Sequence, residues 1–166
     1  VENIELLEDE AVKPFVGEYT PEHYLLKHEN PLAVGPYGVS AYYMEAKMAQ
    51  AQAMVNAKQV ILDVGKRFAA LTGRQYGLLE RYRMEDAEEA IVLIGSSAGT
   101  ARVCVDVLRA QGRRVGMIKV RVYRPFPAEE LAEALAHVQT VAVMDKCESF
   151  STHGGPLGSE LRSALY

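Results

Sequence analysis

Residues 90–127 read AIVLIGSSAGTARVCVDVLRAQGRRVGMIKVRVYRPFP, and the order of residue types in this stretch decides the fold. An apolar run, AIVLIGS, enters a turn of small residues, GSSAGTA. A proline-free stretch with helical spacing follows, then a second β-rich run, VGMIKVRV, and the segment YRPFP. Strand, helix and strand in that order form one βαβ unit. Ile91, Val92, Leu93 and Ile94 leave no polar face, as in a parallel strand covered by helices on both sides.

Working outward, the same pattern repeats. Strands are predicted at about 90–95, 115–122 and 140–145, alternating with helices at about 98–111, 128–137 and 156–165. Val141, Ala142, Val143 and Met144 again read as a strand apolar on both faces. Residues 76–83, YGLLERYR, read as a short edge strand of mixed polarity. The fold class is α/β: a small open, mostly parallel sheet of four or more strands flanked by helices, with right-handed crossovers.

Before the core lies a long helix from Ser40, a candidate N-cap, to Leu71. It holds no proline, one glycine (Gly65), and apolar or small residues at Tyr43, Ala46, Ala53, Ala57, Val60, Ile61, Val64, Phe68 and Leu71. At 1.5 Å per residue it is about 45 Å long, more than a small sheet needs, and Gly73 suits its stop. Residues 1–40 read as an extended docking arm. Pro14, Gly17, Pro21, Pro31, Gly35, Pro36 and Gly38 stand too close together for regular structure. Phe15, Tyr19, Tyr24, Leu25, Leu26 and Tyr37 mark a segment that lies on another surface. The domain expectation is thus an arm or linker over 1–40 and an α/β core over 41–166. The chain opens on Val1 and closes on a predicted helix, which reads as a piece of something longer, truncated at its C-terminal side.

Composition excludes several classes. The chain has 166 residues, 49% of them hydrophobic, enough for a core. Its 18 basic and 22 acidic residues are interspersed and give a net charge of −4. That leaves no basic face for nucleic acid and no polybasic membrane anchor. No apolar run approaches the roughly 20 residues of a spanning helix, and the start, VENIELLEDE, is acidic where a signal peptide is basic and apolar. A cytoplasmic location is expected. Cys104 and Cys147 are too few for a disulfide framework, a four-cysteine zinc site or an iron–sulfur cluster.

Several residues carry candidate chemistry beside a plainer reading. Gly95–Gly99, GSSAG, fits the G-x-S-x-G elbow of a serine hydrolase, with Ser97 as nucleophile and Asp145 and His153 following in triad order. In the plainer reading the small residues let strand and helix approach, Ser96 or Ser97 caps the helix, and Gly99 relieves crowding. The same helix start offers amides to an anion, as in a nucleotide-binding module, although the full phosphate-loop and dinucleotide patterns are missing. Cys104 shares helical spacing with Ala101, Val105 and Leu108 and reads as a core thiol. Cys147 reads as a surface-loop thiol with Lys146 its only adjacent base. Arg121 and Arg124 end their strand. Arg124 suits either a phosphate or carboxylate clamp or an inter-domain ion pair. Pro127 is expected at helix position N1 with Glu129 and Glu130 in the first turn. His23, His28, His137 and His153 lack metal-ligand spacing.

Taken together, the motifs carry a family resemblance. They are Asn30-Pro31, YYMEAKMAQAQAM (42–54), TGRQYGLLERYRMEDAE (72–88), GSSAGTAR (95–102), GRRVGMIKVRVYRPFP (112–127), VAVMDKCESF (141–150) and GGPLGSELRSALY (154–166). The chain resembles the alpha chain of the pyruvate:ferredoxin oxidoreductase (pyruvate synthase) family of 2-oxoacid:acceptor oxidoreductases. Within it, the segment is similar to the second core domain, which is like the C-terminal domain of transketolase. The resemblance implies a whole enzyme that converts a 2-oxoacid, pyruvate foremost, and coenzyme A to acyl-CoA and carbon dioxide. Its expected cofactors are thiamine diphosphate, Mg2+ and [4Fe-4S] clusters. Its expected partners are beta, gamma and delta type chains, with ferredoxin as electron acceptor. The implied thiamine site lies elsewhere, so this segment is expected to be a scaffold with no catalytic, cofactor-binding or metal-binding residues of its own.

Overall fold

A computed structural model describes residues 4–32, 35, 38–151 and 153–166. The readings at Val1, Pro36 and Tyr37 lie outside the described residues. By contacts the chain divides into two compact units, one reaching to Val55 and one running from Asn56 to Tyr166.

The first unit contains helix α1, Asp9–Val16, where no regular structure was expected. Asp9 and Glu10 in its first turn and Lys13 in its last complement the helix dipole, and Pro14 inside it removes one backbone donor without ending it. Gly17 stops it at φ +77°, its N–H donating to Lys13 O at 2.9 Å. Helix α2, Ser40–Thr72, is the long helix, and Gly73 ends it as expected, with φ +70° and its N–H on Ala69 O. None of its described residues is buried.

The second unit holds the sheet. Strands β1 (Leu79–Tyr82), β2 (Glu89–Ile94), β3 (Val115–Val120) and β4 (Thr140–Met144) lie in the order β1-β3-β2-β4. β2 pairs parallel with β3 and β4, and β1 runs antiparallel on the edge, with Leu79 opposite Val120. Helix α3 (Ser97–Ala110) packs against β3 and β2, while α4 (Ala128–Leu135) and α5 (Pro156–Leu165) pack against each other.

Alternation along the strands divides the core in two. Ala90, Val92, Ile118 and Val120 meet Leu131, Leu135, Leu157 and Leu161 of α4 and α5. Leu93, Val115 and Met117 meet Ala98, Ala101 and Val105 of α3. One expectation fails at β4, where only Val141 is half-buried and Met144 is 48% exposed. The strand is an edge in this sheet, so its apolar residues lack the neighbours that a central parallel strand has. Gly116 serves close packing: a Cβ there would fall 2.6 Å from Met84 Sδ and 2.8 Å from Arg83 O.

Candidate functional site

The elbow residues take ordinary structural positions. Gly95 makes the turn with φ +80°, and Ser97 is the first residue of α3. Ser96 stands at the N-cap in helical conformation with no side-chain cap bond, so the expected hydroxyl cap is replaced by a backbone turn. Ala98 N–H donates to Gly95 O and Gly99 N–H to Ser96 O. Those bonds use donors that an anion at this helix start would need.

Asp145, the would-be triad acid, follows β4 and turns to α5. Its Oδ1 accepts from Leu157 N–H at 3.1 Å and its Oδ2 from Gly158 N–H at 3.0 Å. It thereby holds the N-terminal amides of that helix with a carboxylate from a neighbouring strand end. The backbone carbonyl of His153 accepts from Arg162 at 2.8 Å. Ser97, by contrast, lies on the α3 side in a groove with Thr100, Cys104 and Met144.

Cys104 is exposed, against the expected core position. Ala101 and Val105 form the buried stripe of α3, and Cys104 stands to one side, on the groove wall. Cys147 is exposed, as a surface-loop thiol. Pro127 occupies the N-cap of α4 rather than N1, and Leu131 N–H donates to its carbonyl. Glu129 and Glu130 do fall in the first turn, where Lys58 bridges both at 3.1 and 2.8 Å.

Arg124 forms an ion pair within its own unit. Its guanidinium lies 2.5 Å from Glu160 of α5 and 4.4 Å from the centre of the Tyr123 ring. It borders a polar depression of about 330 Å³ lined by Ser149, Ser151, Ser159 and Ser163. The peptide between Arg124 and Pro125 is cis. Arg121 and Arg102 converge instead on Glu80 of β1, whose side chain is only 15% exposed. Burial pushes the Glu80 carboxyl up, but the bonds and charges of the two arginines outweigh it and hold it below the usual carboxylate range. Sequence reading missed this cluster because its members lie far apart in the chain and meet only across β1, α3 and the end of β3.

His137 Nε2 lies 2.7 Å from Met84 O, and His23 and His28 stand beside Glu22 and Glu29. Among the described residues no group of three or more His, Cys, Asp or Glu is placed to hold a metal ion. No described helix is long and apolar enough to cross a membrane.

A groove of about 490 Å³ lies on the α3 face, bounded by α3, β2 and β4. Ile91, Ala101, Cys104, Leu108, Ala142 and Met144 give it an apolar lining, with Ser97, Thr100, Thr140 and Glu89 at its ends. It has the character of an uncovered sheet face and holds no cluster of titratable groups.

Comparison with known proteins gives the chain's relatives. Residues 87–166 match the family model described as pyruvate:ferredoxin oxidoreductase core domain II. The chain is 43% identical over 166 residues to pyruvate synthase subunit PorA of Thermotoga maritima, covering all of this chain and 42% of that protein. It is 38% identical over 167 residues to PorA of Methanocaldococcus jannaschii, covering 99% of this chain and 43% of the relative. It is also 39% identical over 166 residues to ketoisovalerate oxidoreductase subunit VorA of Pyrococcus abyssi, covering 99% and 42%. The chain therefore spans less than half the length of the curated relatives it matches.

Proposed function

Residues 87–166 belong to the pyruvate:ferredoxin oxidoreductase core domain II family, and from that premise we propose that this chain is the structural, interface-forming segment of a 2-oxoacid:ferredoxin oxidoreductase. The observation that carries the reading is the agreement along the whole chain with PorA-type subunits. The fold supports it, since the buried apolar and partly buried polar contacts lock a sheet together instead of converging on a reactive atom. A rigid sheet is suited to fixing the relative positions of sites built by neighbouring domains, where small misplacements are costly to rate.

The reaction of the whole enzyme, on this reading, is oxidative decarboxylation. The bond between the carboxylate and the carbonyl carbon breaks, carbon dioxide leaves, and the acyl group passes to the sulfur of coenzyme A. The thiol proton is released, and the two electrons pass one at a time to ferredoxin as the acceptor. Thiamine diphosphate with Mg2+ would supply the carbanion chemistry and the clusters the electron path.

The described residues of this segment do not supply the ligands of an iron–sulfur cluster. Its two thiols, on α3 and in the loop after β4, cannot complete a four-cysteine cluster, and none of its described acids and histidines gather as a metal site. The cofactors belong on the rest of the assembly, with beta, gamma and delta type partner chains, in the cytoplasm. What this chain contributes is position: Asp145 holding α5, Glu80 with its arginines joining β1 to α3, and exposed apolar surface for neighbours.

Pyruvate is the substrate we assign first, and the VorA relative makes 2-ketoisovalerate the specific second reading. Purification of the tagged full-length subunit from its native host without oxygen tests the proposal. Co-purifying chains, bound iron, and dye reduction dependent on 2-oxoacid and CoA are expected, with pyruvate turned over faster than 2-ketoisovalerate. A lone, iron-free chain without turnover would overturn it.

A further inference from the structure

We infer that the groove between α3 and β4 is a docking slot for one apolar-faced α-helix, supplied by the part of the full-length subunit outside residues 1–166; this rests on the interface reading above. Strands lie about 4.8 Å apart and a helix is about 10 Å across, so a four-stranded sheet takes about two helices on each face. One face carries two, α4 and α5, whose leucines meet Ala90, Val92, Ile118 and Val120. On the other, α3 lies toward β1 and β3, tied there by Arg102 to Glu80 and by Tyr82 Oη donating to Asp106 Oδ2 at 2.7 Å. Among the described residues, the strip over β2 and β4 has no second helix of this unit.

The chemistry of the strip matches a core rather than a transient contact. Ile91, Ala142 and Met144 on its floor and Ala101, Cys104 and Leu108 on its wall continue the buried cluster of Leu93, Val105 and Met117. Interfaces that form and part usually carry polar rims, and here polar groups stand only at the two ends. The free edge of β4, Thr140–Met144, carries no proline and no charge to blunt it. More than half of each matched relative lies outside the region shared with this chain, which is ample length for the occupant. β2 has 6 residues, so the slot runs for roughly 20 Å and takes about 13 helical residues, with small or medium apolar anchors at three- and four-residue spacing.

The test uses the full-length subunit in its purified assembly. A photo-crosslinking benzoyl-phenylalanine replaces Ala142, with Glu133 on α4 as the control position, and the crosslinked peptides are mapped by mass spectrometry. The expected product at position 142 is one apolar peptide of the same subunit from outside residues 1–166, absent from the control. In parallel, maleimide labelling of the unaltered assembly should modify Cys104 at least about tenfold more slowly than in denatured protein. Crosslinks to residues 4–55, to another subunit or to a second copy would overturn the inference, as would Cys104 reacting at its denatured rate. The two readings fail separately: an active, iron-bearing assembly with an open groove sinks the docking slot alone, whereas a lone inactive subunit sinks the interface function.

Discussion

A Cβ at Gly155 would stand 2.2 Å from the carboxyl carbon of Asp145, closer than any real contact. The absence of that one carbon lets the carboxylate reach past Gly155 to the amides of Leu157 and Gly158 at the start of α5. Gly155 has φ −77°, which any residue adopts, so its requirement is steric and not conformational. β4 and α5 are joined here by an anion that the chain itself provides.

Gly155→Ala should therefore destabilise the fold by about 1–3 kcal/mol, through displacement of the Asp145 carboxylate or of the helix start. Asp145→Ala removes the acceptor while leaving space, and about 1 kcal/mol is expected, the usual cost of a lost helix N-terminal cap. Denaturant unfolding of both variants checks the order. A double variant no worse than Gly155→Ala alone would show that the two act on one contact.

Glu80 makes stability depend on pH in a defined direction. Its folded carboxyl is held below the usual range, chiefly by Arg102 and Arg121 acting against burial, so the unfolded chain binds the proton more readily. The stabilisation is complete above the ordinary carboxylate value of about 4.3 and is lost as pH falls through the depressed folded value. Glu80→Gln should lower stability at neutral pH by about 1–3 kcal/mol and flatten the decline below about pH 4.3. Thermal unfolding across that range measures both effects.

Gly116→Ala should cost about 1–3 kcal/mol, because the added Cβ meets the carbonyl of Arg83 at 2.8 Å as well as Met84 Sδ, and a backbone oxygen cannot swing aside. Gly112→Ala is different in kind: no atom lies within 4 Å, and strain comes from φ +86° alone. Rescue of Gly116→Ala by Met84→Ala should be only partial.

Leu131→Ala opens the centre of the larger core cluster, where Leu131 of α4 is fully buried beside α5. A loss of about 2–5 kcal/mol is expected, against near neutrality for the exposed Val103→Ala on α3. Equal effects at the two sites would mean that α3's outer surface is itself buried.

Much of the architecture was legible because local chemistry set it. The run AIVLI, the turn at Gly95 and the stop at Gly73 each act within a few residues, and the strands and helices appear within a residue or two of their expected places, β1 and α4 excepted. Helix α1 forms against the breaker signal of Pro14 and Gly17, because Asp9 and Glu10 in its first turn and Lys13 in its last complement the helix dipole. The candidate sites were less legible. G-S-S-A-G has the same letters in a nucleophile elbow and in a plain strand-to-helix turn, and spacing cannot tell which way Asp145 faces.

The sequence by itself determined the succession of strands and helices, the α/β class and, through its motifs, the family, because period, turn residues and caps are short-range properties of the chain. Only the tertiary structure decided that β4 is an edge strand, that Cys104 faces a groove, that Asp145 serves α5, and that Glu80 gathers Arg102 and Arg121. Those facts depend on which elements become neighbours, and strand order and helix placement follow from burial across the whole sheet, to which residues distant in the chain contribute together.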